Sequence, residues 1–202
     1  MPRNNPYAGV PAAPLDLDLE TRSDGREAEL EVGFGRGHFI LDRAEARPEA
    51  LLLGLEMRRK WVGVVAQRAR RRGLDNVEVL YGDARALVRG WGPDGALSAA
   101  FINFPDPWWK KRHQKRRVVT SALLRELSRL LKPGGLLLVQ TDVGGRARDY
   151  HALLAAEPTL SITHGAPDEP SPANPLGVMS HREKKCLEAG LPVYRFLAER
   201  VG

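Results

Sequence analysis

The stretch E-L-E-V-G-F-G-R-G, Glu29 to Gly37, together with A-L-L-L-G-L-E, Ala50 to Glu56, decides the fold class. Glu29 to Val32 reads as a short apolar strand that runs into a glycine turn. Gly37 to Ala46 reads as a helix with Phe39 and Ile40 on its inner face. Ala50 to Glu56 is a strand-sized apolar run, and Met57 to about Arg72 follows as a long helix. The same beat recurs downstream. Asn76 to Leu80 reads as a strand, Ala84 to Val88 as a short helix and Leu97 to Asn103 as a strand. Val118 to Leu131 reads as a helix closed by K-P-G-G, and Leu136 to Thr141 as a buried strand. A helix, a strand, a Pro-rich loop from Gly165 to Pro175 and a last strand near Val193 to Glu199 complete the chain. Near-continuous apolar strands alternating with helices imply an α/β fold, with a parallel sheet covered on both faces. Ligands of such sheets bind beyond the carboxyl ends of the strands, where the strand order switches. The residues just after each strand are therefore the first place to look for chemistry.

Composition narrows the class further. A chain of 202 residues with 43% hydrophobic content fills one core. Residues 27–202 are expected to form a single domain, preceded by a loosely ordered arm over 1–26, where prolines stand at positions 2, 6, 11 and 14. One cysteine, Cys186, excludes an internal disulfide and a Cys-rich metal site, and no metal is expected. The apolar runs at Leu51 to Leu55 and Leu136 to Val139 are too short to span a bilayer, and the N-terminus has no apolar signal-type stretch. The expectation is a cytoplasmic protein without membrane contact, a monomer or homodimer. The net charge is +6, from 31 basic and 25 acidic residues. Six of those cations lie between Lys110 and Arg117, so the excess is concentrated in one tract that attracts polyanions.

Three acids stand within or after the first three strands. Glu31 precedes the glycine turn, in which Gly33, Gly35 and Gly37 permit positive φ and close approach of a ligand. The turn departs from the dinucleotide fingerprint, because His38 stands where its last glycine belongs. Glu56 follows the second strand, where an acid accepts bonds from the hydroxyls of an adenosine ribose. Asp83 follows the third, where it fits either an adenine amine or the N-cap of the next helix. An acid-lined glycine turn suits a cationic cofactor and disfavours a pyrophosphate. S-adenosylmethionine carries an adenosine, an ammonium and a sulfonium, and is such a cofactor. Asp142, after the fifth strand, faces the same crevice or caps the helix near Gly144.

After the fourth strand comes N-F-P-D-P-W-W-K-K-R-H-Q-K-R-R, Asn103 to Arg117. Prolines on both sides of Asp106 restrict its backbone. A stiff acid beside Trp108 and Trp109 suits a planar base, and the cations after it suit a phosphate backbone. A second basic cluster, Arg68 and Arg70 to Arg72, reads first as a solvated helix face and second as a further RNA contact.

With E-V-G-F-G-R-G, F-P-D-P-W-W-K-K-R-H-Q-K-R-R and the late S-H-R-E in place, the chain resembles the bacterial tRNA (guanine-N7-)-methyltransferase family from about Glu29 to Val201. The resemblance implies a class I methyltransferase fold, Rossmann-like and doubly wound, with seven strands of which the last is antiparallel. It implies methyl transfer from S-adenosylmethionine to N7 of a tRNA guanosine, position 46 of the variable loop. Carried over by position, it implies cofactor binding by Glu31, the glycine turn, Glu56, Asp83 and Asp106, with Asp106 also the catalytic acid. It implies substrate contact by Lys110, Asp142, Ser180 and Glu183, and RNA contact by Arg112, His113, Lys115, Arg116 and Arg117. Two departures stand out: Ser180 where the family has threonine, and Asn103 where it often has phenylalanine. Three rivals fit less well. N-F-P-D matches the loop of exocyclic-amine methyltransferases poorly, a silent RNA-binding scaffold needs none of the four acids, and a nicotinamide dehydrogenase needs the missing glycine.

Overall fold

The computed structural model describes residues 9–107, 116–171 and 173–202. The first half runs β1 (Leu17–Asp18), α1 (Leu19–Ser23), β2 (Ala28–Val32), α2 (His38–Ala46), β3 (Leu51–Glu56), α3 (Arg59–Arg71), β4 (Val77–Tyr81), α4 (Ala84–Leu87), β5 (Trp91–Gly92) and β6 (Leu97–Asn103). The second half runs α5 (Ser121–Leu130), β7 (Leu131–Thr141), α6 (Gly144–Ala155), β8 (Leu160–His164), α7 (His181–Glu188) and β9 (Tyr194–Arg200).

Seven strands form the main sheet in the order β4-β3-β2-β6-β7-β9-β8. β2, β3, β4, β6 and β7 pair in parallel. β9 is antiparallel to both neighbours, β7 and β8. The order reverses between β2 and β6, whose ends lie side by side with Val32 opposite Ile102. That is the topological switch point, and it brings the glycine turn next to the Asp106 turn.

Alternation along the strands feeds a core on each face of the sheet, with a smaller cluster of Phe39, Ala99, Phe101 and Leu138. Leu30, Val32, Leu53, Leu55, Ala100, Ile102, Leu137 and Val139 meet α5 and α6 on one face. On the other face Leu52 and Val79 meet Phe34, Ile40, Val62 and Val65 around α2 and α3. α5 shows the local logic. Thr120 caps it by accepting the Leu123 N–H at 3.2 Å, and Leu123, Leu124, Leu127 and Leu130 recur at helical spacing and are all buried. Full burial of each such leucine contributes about 1.5–3 kcal/mol.

The expected helix over 118–131 starts three residues later, and K-P-G-G lies within β7 as a bulged entry, where the pairing with β6 jumps from Leu131 to Leu136. Of the N-terminal arm, residues 9–26 are docked and not loose. Ala13 donates to the Tyr81 carbonyl and Tyr81 to the Pro11 carbonyl, both at 2.9 Å. Trp91 Nε1 donates to the Pro14 carbonyl at 3.1 Å, β1 pairs with β5, and Leu19 is fully buried. The physical reason is that β4 is a sheet edge with unpaired backbone groups, and proline carbonyls still accept. Among the described residues no helix is long and apolar enough to cross a membrane.

Candidate active site

Glu31 is the deepest acid of the crevice, 2% exposed in the middle of the sheet. Asn103 Nδ2 donates to its Oε1 at 2.9 Å, and Asn103 Oδ1 accepts from Gln140 Nε2 at 2.8 Å. One amide thus ties the ends of β2, β6 and β7 together. Glu31 Oε2 and Gln140 Oε1 are buried with no hydrogen-bond partner. Burial pushes the Glu31 carboxyl up to about 8, with the Asn103 amide and the Ile40 backbone N–H pulling the other way and Glu56 adding to the rise. A buried acceptor with spare capacity is costly, so the Glu31 carboxyl is a candidate place for a positively charged donor.

Above Glu31 the turn winds through Gly33, Gly35 and Gly37 with φ of 76, 52 and 74°. At Gly37 a side chain is excluded twice over, since a Cβ would also lie 2.4 Å from Val65 Cγ2. Glu56, buried at the end of β3, fastens the turn. Its Oε2 accepts from the Gly35 N–H at 3.0 Å, and its Oε1 from the Arg58 N–H at 2.9 Å and Arg58 Nε at 3.2 Å. Asp83 caps α4, accepting from the Arg85 N–H at 3.1 Å, and also pairs with Arg85 Nη2 at 2.6 Å. The Arg85 contact holds its carboxyl below the usual range.

Asp106 sits one turn beyond β6, exposed, on a tightly specified backbone. Phe104 has a φ of 49°, unusual for an aromatic residue, and its N–H donates to the Gln140 carbonyl at 2.9 Å. Arg146, buried in α6, donates from Nε to the Pro107 carbonyl at 2.9 Å. Asp142 does not cap α6, whose N-cap is Val143; it pairs with Arg182 of α7.

Ser180 and Glu183 have local partners. They form a capping box at α7, each side chain accepting the other's backbone N–H at 3.2 Å. Glu183 is fully buried, and its Oε1 accepts from Arg195 Nη2 and from Asn174 Nδ2, both at 2.8 Å. Arg116 is exposed, and Arg117 lies 3.8 Å from Asp149. The expectations for Lys110, Arg112, His113 and Lys115, and for Trp108 and Trp109, fall outside the described residues. Among the described residues no cluster of metal-ligating side chains occurs.

Sequence reasoning reached the acids and the glycine turn but missed what holds them. Gln140, Arg146, Arg58 and Arg85 carry that work. Their signal was position alone, each lying one to five residues from the last residue of a strand.

The comparisons with known proteins agree with this geometry. A family model described as a putative methyltransferase matches residues 26–196. The chain is 36% identical over 190 residues to the tRNA (guanine-N(7)-)-methyltransferase of Synechococcus sp. (strain JA-2-3B'a(2-13)), covering 94% of this chain and 78% of that protein. It is 42% identical over 171 residues to the tRNA (guanine-N(7)-)-methyltransferase of Anaeromyxobacter dehalogenans (strain 2CP-C), covering 85% of this chain and 84% of that one. Among solved structures, an S-adenosylmethionine-dependent methyltransferase from Aquifex aeolicus shares the fold, with a TM-score of 0.60 at 16% identity over 87% of this chain and 84% of that chain. The seven-stranded sheet with its antiparallel β9, the acids at the switch point and these relatives lead to one conclusion: the chain belongs to the tRNA (guanine-N7-)-methyltransferase family.

Proposed function

We propose that this chain transfers a methyl group from S-adenosylmethionine to N7 of a guanosine in tRNA, at position 46 of the variable loop. The observation that carries the reading is the switch point, where orphaned Glu31 and the glycine turn on β2 adjoin the Asp106 turn on β6. The donor supplies an electrophilic methyl on a sulfonium. The residues present fit it: Glu31 offers a buried acceptor oxygen to the cationic end, Glu56 at the end of β3 would take the ribose hydroxyls, and Asp83 after β4 the adenine amine.

Guanine N7 has an in-plane lone pair and no proton, so its attack needs no general base. The protein's task is alignment, which removes roughly 7–11 kcal/mol of barrier when two reactants are held in line. Positive charge develops on the purine as the bond forms, and a fixed carboxylate stabilises it there. Asp106, rigid between two prolines, takes that role. Its two oxygens also match the N1–H and N2–H₂ donors of guanine, which adenine lacks. Lys110, Arg112, His113, Lys115, Arg116 and Arg117 hold the phosphate backbone outside the crevice.

The test is incubation with methyl-labelled S-adenosylmethionine and unmodified tRNA transcripts, followed by nucleoside identification. Label in 7-methylguanosine, lost when G46 is replaced, is the expected result. Label on an exocyclic amine, or tRNA binding without label, overturns the reading.

A further inference from the structure

α6 reaches both ends of the segment 108–115, the Pro107 carbonyl before it and the Arg117 guanidinium after it. Arg146 is 7% exposed, and a guanidinium so far removed from water must spend its donors on protein acceptors. Its Nε donates to the Pro107 carbonyl at 2.9 Å, and its Nη1 to Asp149 Oδ2 at 2.6 Å. The same Asp149 oxygen lies 3.8 Å from Arg117 Nη1. One carboxylate on α6 therefore serves an arginine bound to the residue after Asp106 and an arginine at the end of the cationic tract. From the other side, Arg85 Nη1 reaches the Arg117 carbonyl at 3.5 Å, while its Nε donates to Asp83 at 3.0 Å.

We propose that Arg146 and Asp149 are positioning residues for methyl transfer, clamping Pro107 and Arg117 so that Asp106 is pre-set over the crevice. The Pro107 carbonyl is one peptide unit beyond Asp106, and proline's fixed φ passes its position back to the acid with little slack. On the other side Phe104, at its unusual φ, is fastened to the Gln140 carbonyl. The Asp106 turn is thus held from β7 before it and from α6 after it. The clamp also runs through Arg117 and Arg85 to Asp83, linking the cationic tract to the adenosine end of the crevice. This inference rests on the assignment of Asp106 above. A displacement near 1 Å at an aligning group costs on the order of 100-fold in rate.

The test uses the full chain with S-adenosylmethionine and tRNA transcripts. Arg146→Ala should lower kcat about 10- to 100-fold, with KM for both substrates held within about threefold. Millimolar guanidinium added to Arg146→Ala should recover part of kcat, which a merely structural role does not foresee. Asp149→Asn keeps the shape of a half-exposed side chain and should lower kcat about threefold to tenfold while the thermal midpoint stays near the parent's. Unchanged kcat in either variant overturns the inference. So does a loss carried by KM, or a kcat loss in Arg146→Ala that guanidinium leaves untouched. If Arg146→Ala does not fold, Asp149→Asn decides alone. Asp106→Ala separates the two readings: an active Asp106→Ala sinks the assignment of Asp106, whereas an inactive one beside fully active clamp variants sinks only the clamp.

Discussion

Replacing Glu31 by glutamine tests the electrostatics of the crevice most directly. The carboxyl stands at about 8 instead of 4.5, because it is buried in the sheet and the bonds from Asn103 and the Ile40 N–H offset only part of that cost. A carboxylic acid whose folded value lies above its unfolded one binds its proton more tightly in the folded state. Its contribution is fully present below pH 4.5 and is lost as the pH rises towards 8. At 1.36 kcal/mol for each tenfold change, the span is worth roughly 5 kcal/mol as an upper limit, since any water reaching the group reduces it. Glu31→Gln has the same size, keeps an acceptor for Asn103 and does not titrate. Urea unfolding from pH 5 to pH 9 should show wild-type stability falling by a few kcal/mol more than that of Glu31→Gln. Superimposable pH profiles refute the buried-acid argument.

On the proposed reading, the same proton should govern cofactor affinity. With a value of about 8, Glu31 is roughly one-hundredth ionised at pH 6 and one-tenth at pH 7. If a cationic ammonium or sulfonium binds the ionised form, apparent affinity scales with that fraction. Calorimetric titration with S-adenosylmethionine should therefore tighten about 10-fold between pH 6 and pH 7, where an α-ammonium keeps its own charge, with proton release on binding. Glu31→Gln should bind weakly and without that trend. Equal affinity at both pH values in the wild type means that Glu31 does not meet the positive charge.

Asp106→Ala should abolish methyl transfer while leaving tRNA affinity within a few-fold, measured by filter binding; equal losses in rate and affinity contradict an aligning role. Neutralising Lys115, Arg116 and Arg117 together should weaken tRNA binding and make log Kd against log salt shallower, and an unchanged slope removes the tract from the interface. Glu183→Ala leaves Arg195 charged and buried without its carboxylate, and should cost about 3–5 kcal/mol in urea unfolding; a stable variant shows that the ion pair is not needed for the fold. Gly37→Ala forces a Cβ against Val65 at positive φ, and should cost folding stability and cofactor affinity together.

The alternation of apolar strands and helices made the sheet legible, because fully buried parallel strands leave a continuous apolar signature in L-L-L-G-L and L-L-L-V. The acids that end such runs were legible for the same reason, since a carboxylate there adds nothing to the packing, whereas Glu29 inside β2 is a buried partner of Arg43. β1, β5 and the docked arm were not. They are two-residue pairings and single bridges, held by proline carbonyls and one tryptophan N–H, and no periodicity accompanies so short a contact. α7 was hidden behind the Pro-rich loop, although S-H-R-E is also a capping box and announces a helix N-terminus on that ground. Asn103 shows the limit most clearly. It stood out only as a departure from a phenylalanine, and its link between Glu31 and Gln140 depends on strand order, which local sequence does not encode.

The distribution of charge gives the arrangement its logic. The chain carries a net +6, yet the acids Glu31, Glu56 and Asp83 line its crevice and the cationic residues Arg116 and Arg117 lie at the end of the segment that leaves it. An acid-lined crevice repels phosphate, so an RNA backbone attracted by the basic tract cannot follow a base inward. Only the purine itself, neutral and planar, escapes that repulsion. Under the proposed reaction the purine methylated at N7 carries positive charge, and Asp106 would stabilise it in proportion to how closely it is held. That would make the backbone on either side of Asp106 part of the catalytic apparatus. A carboxylate that stabilises charge only at the moment of transfer must be in place before it, and the bonds from Arg146 to Pro107 and from Phe104 to Gln140 are what keep it there.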